Sequence, residues 1–174
     1  GPRFKFSQEP EKPFSIGRGV SLVVNSPYSC RPCIAWHKQL GEIRKDYGGE
    51  IEVDYYPSFP RRDQKSRLFF EAALCMSKQS KNIFWKLIDD FTTLGEISLI
   101  EKDLMEFSAK SGLDVDKLKS CVIQQKFAPT IEYYQKFAEY LEIKSYPLVI
   151  VGDFVFAGAI DNRYLRQALD IEVR

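Results

Sequence analysis

The tetrapeptide Cys30-Arg31-Pro32-Cys33 constrains this chain more than any other feature, because of what stands on either side of it. Upstream, Gly19-Val20-Ser21-Leu22-Val23-Val24-Asn25 is a β-branched run bounded by turn residues, which reads as a buried strand, and Ser26-Pro27-Tyr28-Ser29 reads as a turn. Downstream, Ile34, His37, Leu40, Ile43 and Arg44 recur at three- to four-residue steps. The stretch from Cys30 to about Tyr47 therefore reads as a helix ended by Gly48-Gly49. A C-x-x-C that opens a helix holds its sulfurs one turn apart, within reach of a small disulfide ring. The free N–H groups of the first turn and the positive end of the helix dipole favour a thiolate at Cys30, and Arg31 adds positive charge. Cys30 is expected to be exposed and easily ionised, with Cys33, one turn inward, the more buried thiol. Pro32 suits this position, since its missing N–H would have no partner in a first helical turn.

Past that helix, Ile51-Glu52-Val53-Asp54-Tyr55 alternates with period two and reads as a second strand, terminated by Pro57 and Pro60. Strand, helix and strand in this order build a parallel pair with a right-handed crossover. Strand signals then vanish from Asp63 to Phe137. Leu68, Phe69, Ala72, Ala73 and Met76 mark one helical face, and Ile83, Phe84, Leu87, Ile88 and Phe91 another. Ser98-Leu99-Ile100-Glu101 has the form of a capping box opening a helix toward Gly112, and Asp114 to Gln125 and Thr130 to Leu141 complete the helical block. The tail returns to β: Leu148 to Val151, a Gly152-Asp153 turn and Phe154 to Ala157 read as a hairpin, after which Asp161 or Asn162 caps a last helix. The expected organisation is a lead over residues 1–13, an α/β core over 14–62 and 142–174, and an inserted helical subdomain over 63–141.

Composition narrows the function. At 174 residues, 44% hydrophobic, with 13 Phe and 9 Tyr, the chain has the material for one folded core. Lys and Arg number 25 against 24 Asp and Glu, a formal charge of +1, which supplies no field for nucleic acid or an anionic bilayer. No run approaches the length of a membrane span. Gly1-Pro2 has the form of a protease-cleavage scar, so a signal peptide or membrane anchor is expected to have been removed. A zinc site needs about four ligands, whereas Cys75 and Cys121 stand singly and His37 is the only histidine. No metal and no cofactor are expected. A purely structural Cys30–Cys33 bridge stays open as an alternative, although so short a ring contributes little loop entropy. Arg61, Arg62, Lys65 and Arg67 read as a solvated helix start, with a docking patch for a membrane partner as the other reading.

The order of strand, C-x-x-C at a helix start, strand, helical block, then Ser145-Tyr146-Pro147 leading into a hairpin and helix resembles the thioredoxin fold. The helical insertion makes it similar to the DsbA-like branch. Val20 to Leu40, with Asn25, Pro27-Tyr28, the cysteine pair and His37, also resembles bacterial thioredoxin-like domains associated with membrane enzymes of the vitamin K epoxide reductase type. The resemblance implies an α/β fold with a central mixed sheet, and thiol–disulfide exchange in which Cys30 attacks and Cys33 resolves. It also implies a cis Pro147 facing the pair, with Tyr146 offering backbone to substrate. Arg31, Pro32 and His37 would modulate the site, His37 as a proton relay or as a solvated or packed bystander. Relatives often carry a buried acid on the strand before the motif; Leu22-Val23-Val24-Asn25 has none. For Cys75 and Cys121, relatives imply a structural disulfide worth ~3–4 kcal/mol by loop closure, the alternative being two buried free thiols. Implied partners are protein thiols and disulfides and a quinone-linked membrane redox partner, for a monomer in the bacterial periplasm or cell envelope. The competing reading is a protein-interaction module, with a non-catalytic disulfide and a surface formed by Phe59, Tyr133, Tyr134, Phe154 and Phe156.

Overall fold

The computed structural model describes residues 14–28, 30–92 and 101–174. The β-branched run forms β2 (Val20–Ser26), the central strand of a five-stranded mixed sheet in which β1 is Ser15–Gly17, β3 Ile51–Pro57, β4 Leu148–Val151 and β5 Phe154–Ala157. The order is β1-β3-β2-β4-β5. β2 runs parallel to β3, with Leu22 opposite Val53, and antiparallel to β4, with Leu22 opposite Val151. Between β2 and β3 lies α1 (Arg31–Tyr47), the crossover that a parallel pair requires.

Register puts Leu22 and Val24 of β2, Val53 and Tyr55 of β3, and Val149 and Val151 of β4 on one face, and all six are buried. α7 (Asn162–Val173) contributes Leu165, Ala168 and Leu169 to the same core, and ties to α1 through Tyr47, whose hydroxyl donates to Asp170 Oδ1 at 2.7 Å. Asp161 caps α7 by accepting from the Arg163 N–H.

Five helices come between β3 and β4: α2 (Gln64–Ser77), α3 (Ile83–Thr92), α4 (Glu101–Lys110), α5 (Val115–Ile123) and α6 (Ala128–Tyr140). The Ser98-Leu99-Ile100 part of the expected capping box lies outside the described residues. Where α4 ends, Gly112 at φ +77° takes the left-handed conformation, and the Leu113 N–H reaches back to the Ser108 carbonyl at 3.0 Å. The insertion has no core of its own. Phe84 stacks on Phe14 at 4.0 Å and lies 5.0 Å from the Tyr55 ring, and Phe70 stacks on Phe59, so sheet and helices share one aromatic interior.

Three sequence expectations change. β1 was not anticipated: its three residues pair antiparallel with β3, with Ser15 opposite Asp54. Strict alternation would expose Asp54, yet it is buried, because the Ser15 and Ser21 hydroxyls donate to its two carboxylate oxygens at 2.9 and 2.7 Å. Arg61 is not a free cation at a helix start. It donates to Glu132 and Glu139 of α6, both at 2.8 Å, which pins the entry to α2 against the last helix of the insertion.

Candidate active site

Cys30 is the N-cap of α1. Its backbone is extended (φ −148°, ψ 158°), its carbonyl accepts the first helical hydrogen bond from the Ile34 N–H at 2.9 Å, and its sulfur accepts from the Cys33 N–H at 3.1 Å. A cap position ordinarily held by a serine or aspartate oxygen is thus held by sulfur, at the point where unsatisfied N–H groups and the helix dipole favour negative charge. No acidic residue occupies the first turn to offset that field. Cys30 and Cys33 are bonded, with Cα atoms 4.9 Å apart. Cys33 is fully buried, while Cys30 is partly accessible. The neighbouring Arg31 is exposed and Pro32 sits in the first turn, half-buried.

The rest of the site comes from strand ends. The Tyr146–Pro147 peptide is cis, and Pro147 immediately precedes Leu148, which pairs with Asn25 near the carboxyl end of β2. Asn25 precedes the motif by only a few residues, so Pro147 and the cysteines both belong to the carboxyl end of the central strand β2. Pro147 is buried, and its carbonyl accepts from the Gly158 N–H at 3.0 Å. Ser58, just past β3, donates its N–H to the Ser26 carbonyl at 3.0 Å and its hydroxyl to the Tyr146 oxygen at 3.3 Å. Neither serine stood out in the sequence. The only local signal is that each ends a strand or follows one.

His37 lies one turn beyond Cys33 on the inner face of α1, buried, with Nε2 2.6 Å from the Tyr55 hydroxyl. Burial lowers its pKa from 6.5 to about 3, so the ring is neutral at neutral pH and presents no positive charge to the cysteines. Burial likewise pushes the Tyr55 phenol up, and Tyr55 also interacts with the Ser26 hydroxyl, which donates to the Pro27 carbonyl at 2.8 Å. His37 is thus packed, not solvated.

Cys75 on α2 and Cys121 on α5 form a second disulfide, S–S 2.06 Å and Cα–Cα 6.0 Å. No cysteine is free. The aromatic residues considered for an interaction surface do not assemble into one: Phe59 and Tyr134 are buried, Tyr133 and Phe156 are partly covered, and Phe154 stands exposed on β5. Among the described residues, no group of three or more His, Cys, Asp or Glu side chains could hold a metal ion, and no helix is long and apolar enough to cross a membrane.

The sequence model of a thioredoxin family matches residues 19–171, from the start of β2 into α7. The chain belongs to the thioredoxin family. Within the solved structures, this chain is similar to the thiol-disulfide exchange protein α-DsbA2 from Wolbachia pipientis, with TM-score 0.78 and 20% identity over 91% of this chain and 86% of that one. Oxidised BdbD from Bacillus subtilis is similar at TM-score 0.75 and 15% identity, covering 97% and 95%. A periplasmic thioredoxin-like protein from Salmonella enterica serovar Typhimurium is similar at TM-score 0.70 and 18% identity, covering 94% and 92%. These likenesses establish the fold with its helical insertion. No curated protein matches the sequence.

Proposed function

We propose that this thioredoxin-family chain is a thiol–disulfide oxidoreductase that exchanges disulfides with protein cysteines through Cys30 and Cys33. The observation that carries the reading is the sulfur cap: Cys30 Sγ sits 3.1 Å from the Cys33 N–H at the amino end of a seventeen-residue helix, partly accessible, with its partner sulfur fully buried. A thiolate leaving at Cys30 would keep that hydrogen bond and gain the helix field, which lowers its pKa and makes it a good leaving group and nucleophile.

From the oxidised pair, a substrate thiolate attacks Cys30 Sγ, a substrate–Cys30 disulfide forms, and the electron pair of the broken bond leaves on Cys33. A second substrate thiolate then attacks the substrate sulfur of that mixed disulfide. A substrate disulfide forms and Cys30 departs as thiolate, leaving both cysteines reduced and two substrate thiols oxidised. The reverse sequence reduces a substrate. Pro147 and the Tyr146 backbone, at the same end of the sheet, would position the incoming peptide. The setting that fits two disulfides is an oxidising extracytoplasmic compartment, where a quinone-linked membrane partner would accept the electrons gathered by the pair.

Insulin reduction with dithiothreitol tests the reading. Wild-type turnover that Cys30→Ala abolishes supports it, and an inert wild type overturns it. The reduction potential of Cys30–Cys33 against glutathione then gives the direction, a low value favouring a reductase and a high one an oxidase.

A further inference from the structure

The second disulfide does not lie sealed between its helices. Cys75 and Cys121 both line a cleft of about 660 Å³, together with Gln79, Ser120, Phe127 and the lysines Lys78, Lys117 and Lys126. Cys75 is buried, but Cys121 is partly accessible. The three lysines come from three places: the C-cap of α2, the first turn of α5 and the segment leading into α6. Among the described residues none of them forms an ion pair, and no Asp or Glu lines the cleft. Lys78 Nζ lies 5.8 Å over the Phe127 ring. The Asp114 carboxylate, an acid beside the cleft that the three lysines outnumber, caps α5 by accepting the Lys117 N–H at 3.0 Å, and the Gln79 side chain closes one wall by bonding both the N–H and the carbonyl of Asp114.

A small concave site with three lysines that form no ion pair among the described residues, beside a disulfide whose Cys121 is partly accessible, favours anions, and the disulfide in its lining favours thiols. We propose that this cleft is a second exchange site, which takes a small carboxylate-bearing thiol and reacts it with the Cys75–Cys121 disulfide. The carboxylates pair with Lys78, Lys117 and Lys126, and the bound thiolate attacks Cys121 Sγ. The sulfur–sulfur bond breaks, its electron pair leaves on Cys75, and the small molecule remains bonded to Cys121. A second thiolate of the same kind attacks the small-molecule sulfur, releasing the symmetrical small-molecule disulfide and the Cys121 thiolate. The protons of the two thiols end on Cys75 and Cys121, so two thiols are oxidised and one protein disulfide is reduced. The lysines favour this path twice, by concentrating the attacking anion and by stabilising the thiolates that depart.

The inference stands apart from the reaction proposed for Cys30 and Cys33, because peptide mapping after alkylation reads the two bridges separately. The oxidised full chain is treated in parallel with 3-mercaptopropionate, 2-mercaptoethanol and cysteamine, and rates of opening are compared per unit of thiolate. The expected result is that the anionic thiol opens Cys75–Cys121 about tenfold faster than the neutral one and the cationic thiol opens it slowest. That advantage should collapse in molar salt, where screening reaches about 3 Å, and in Lys78→Gln/Lys117→Gln/Lys126→Gln. Equal rates for the three thiols in the wild-type chain overturn the proposal without recourse to any variant. An anionic advantage that survives in a folded triple variant overturns the assignment to these lysines.

Discussion

The two disulfides sit in regions built on opposite terms. Cys30 and Cys33 are three residues apart on the helix start that follows the central strand, while Cys75 and Cys121 are 46 apart and join two helices of the insertion. A short ring restrains the unfolded chain little, so its geometry is free to serve reactivity; a long one removes much of the unfolded chain's freedom. Sequence separation thus predicts which bridge should govern turnover and which should govern stability.

The largest expected effect concerns activity. Cys30→Ala should reduce insulin-reduction turnover to background, whereas Cys75→Ala/Cys121→Ala should leave it within about twofold at a temperature where the fold persists. If both lose activity together, the division between the regions fails. Next comes stability: chemical denaturation of Cys75→Ala/Cys121→Ala should show a loss of about 3–4 kcal/mol, more than Cys30→Ala/Cys33→Ala shows. The reverse order would mean that the insertion retains structure when the chain unfolds.

A third test probes the polar contact beneath the redox helix. Tyr55→Phe removes the hydroxyl 2.6 Å from His37 Nε2 and should cost about 1–3 kcal/mol, the range for a buried group left without its partner. His37 also predicts a pH dependence. Its folded pKa, about 3, lies below the unfolded 6.5, so between these values the unfolded chain takes up a proton that the folded chain refuses. The stability tied to its neutral form is therefore complete above about pH 6.5 and declines on acidification toward 3, by about 1.4 kcal/mol per pH unit. Denaturation of His37→Gln across this range should show a shallower slope, and an unchanged slope would assign the acid sensitivity elsewhere. The smallest effect belongs to Arg61→Ala. Its pairs with Glu132 and Glu139 are exposed, and the substitution should cost no more than about 1 kcal/mol.

Local features were legible in the chain and distant partnerships were not. The helix beginning at Cys30 is announced by a turn, a proline and apolar residues at helical spacing, all within one segment. The hairpin from Leu148 to Ala157 is equally local. β1 has too few residues to show a period, and only its pairing with β3 defines it. Asp54 follows the alternation of an exposed position and is buried because Ser15 and Ser21, far off in the chain, supply its hydrogen bonds. The same reason hid the contact between His37 and Tyr55, and the capture of Arg61 by α6. In the candidate site, the cysteines and Pro147 carried motifs, whereas Ser26 and Ser58 matter only because three strand ends meet there.

The register of the sheet has a consequence for synthesis on the ribosome. β2 is flanked by β3, which follows soon after it, and by β4, whose Val151 pairs with Leu22 only after the whole helical insertion between them has been made. A nascent chain therefore displays both C-x-x-C cysteines well before β4, which completes the sheet beside β2. In the interval its thiols are open to whatever oxidant or folding helper it meets, and specificity arrives only with β4.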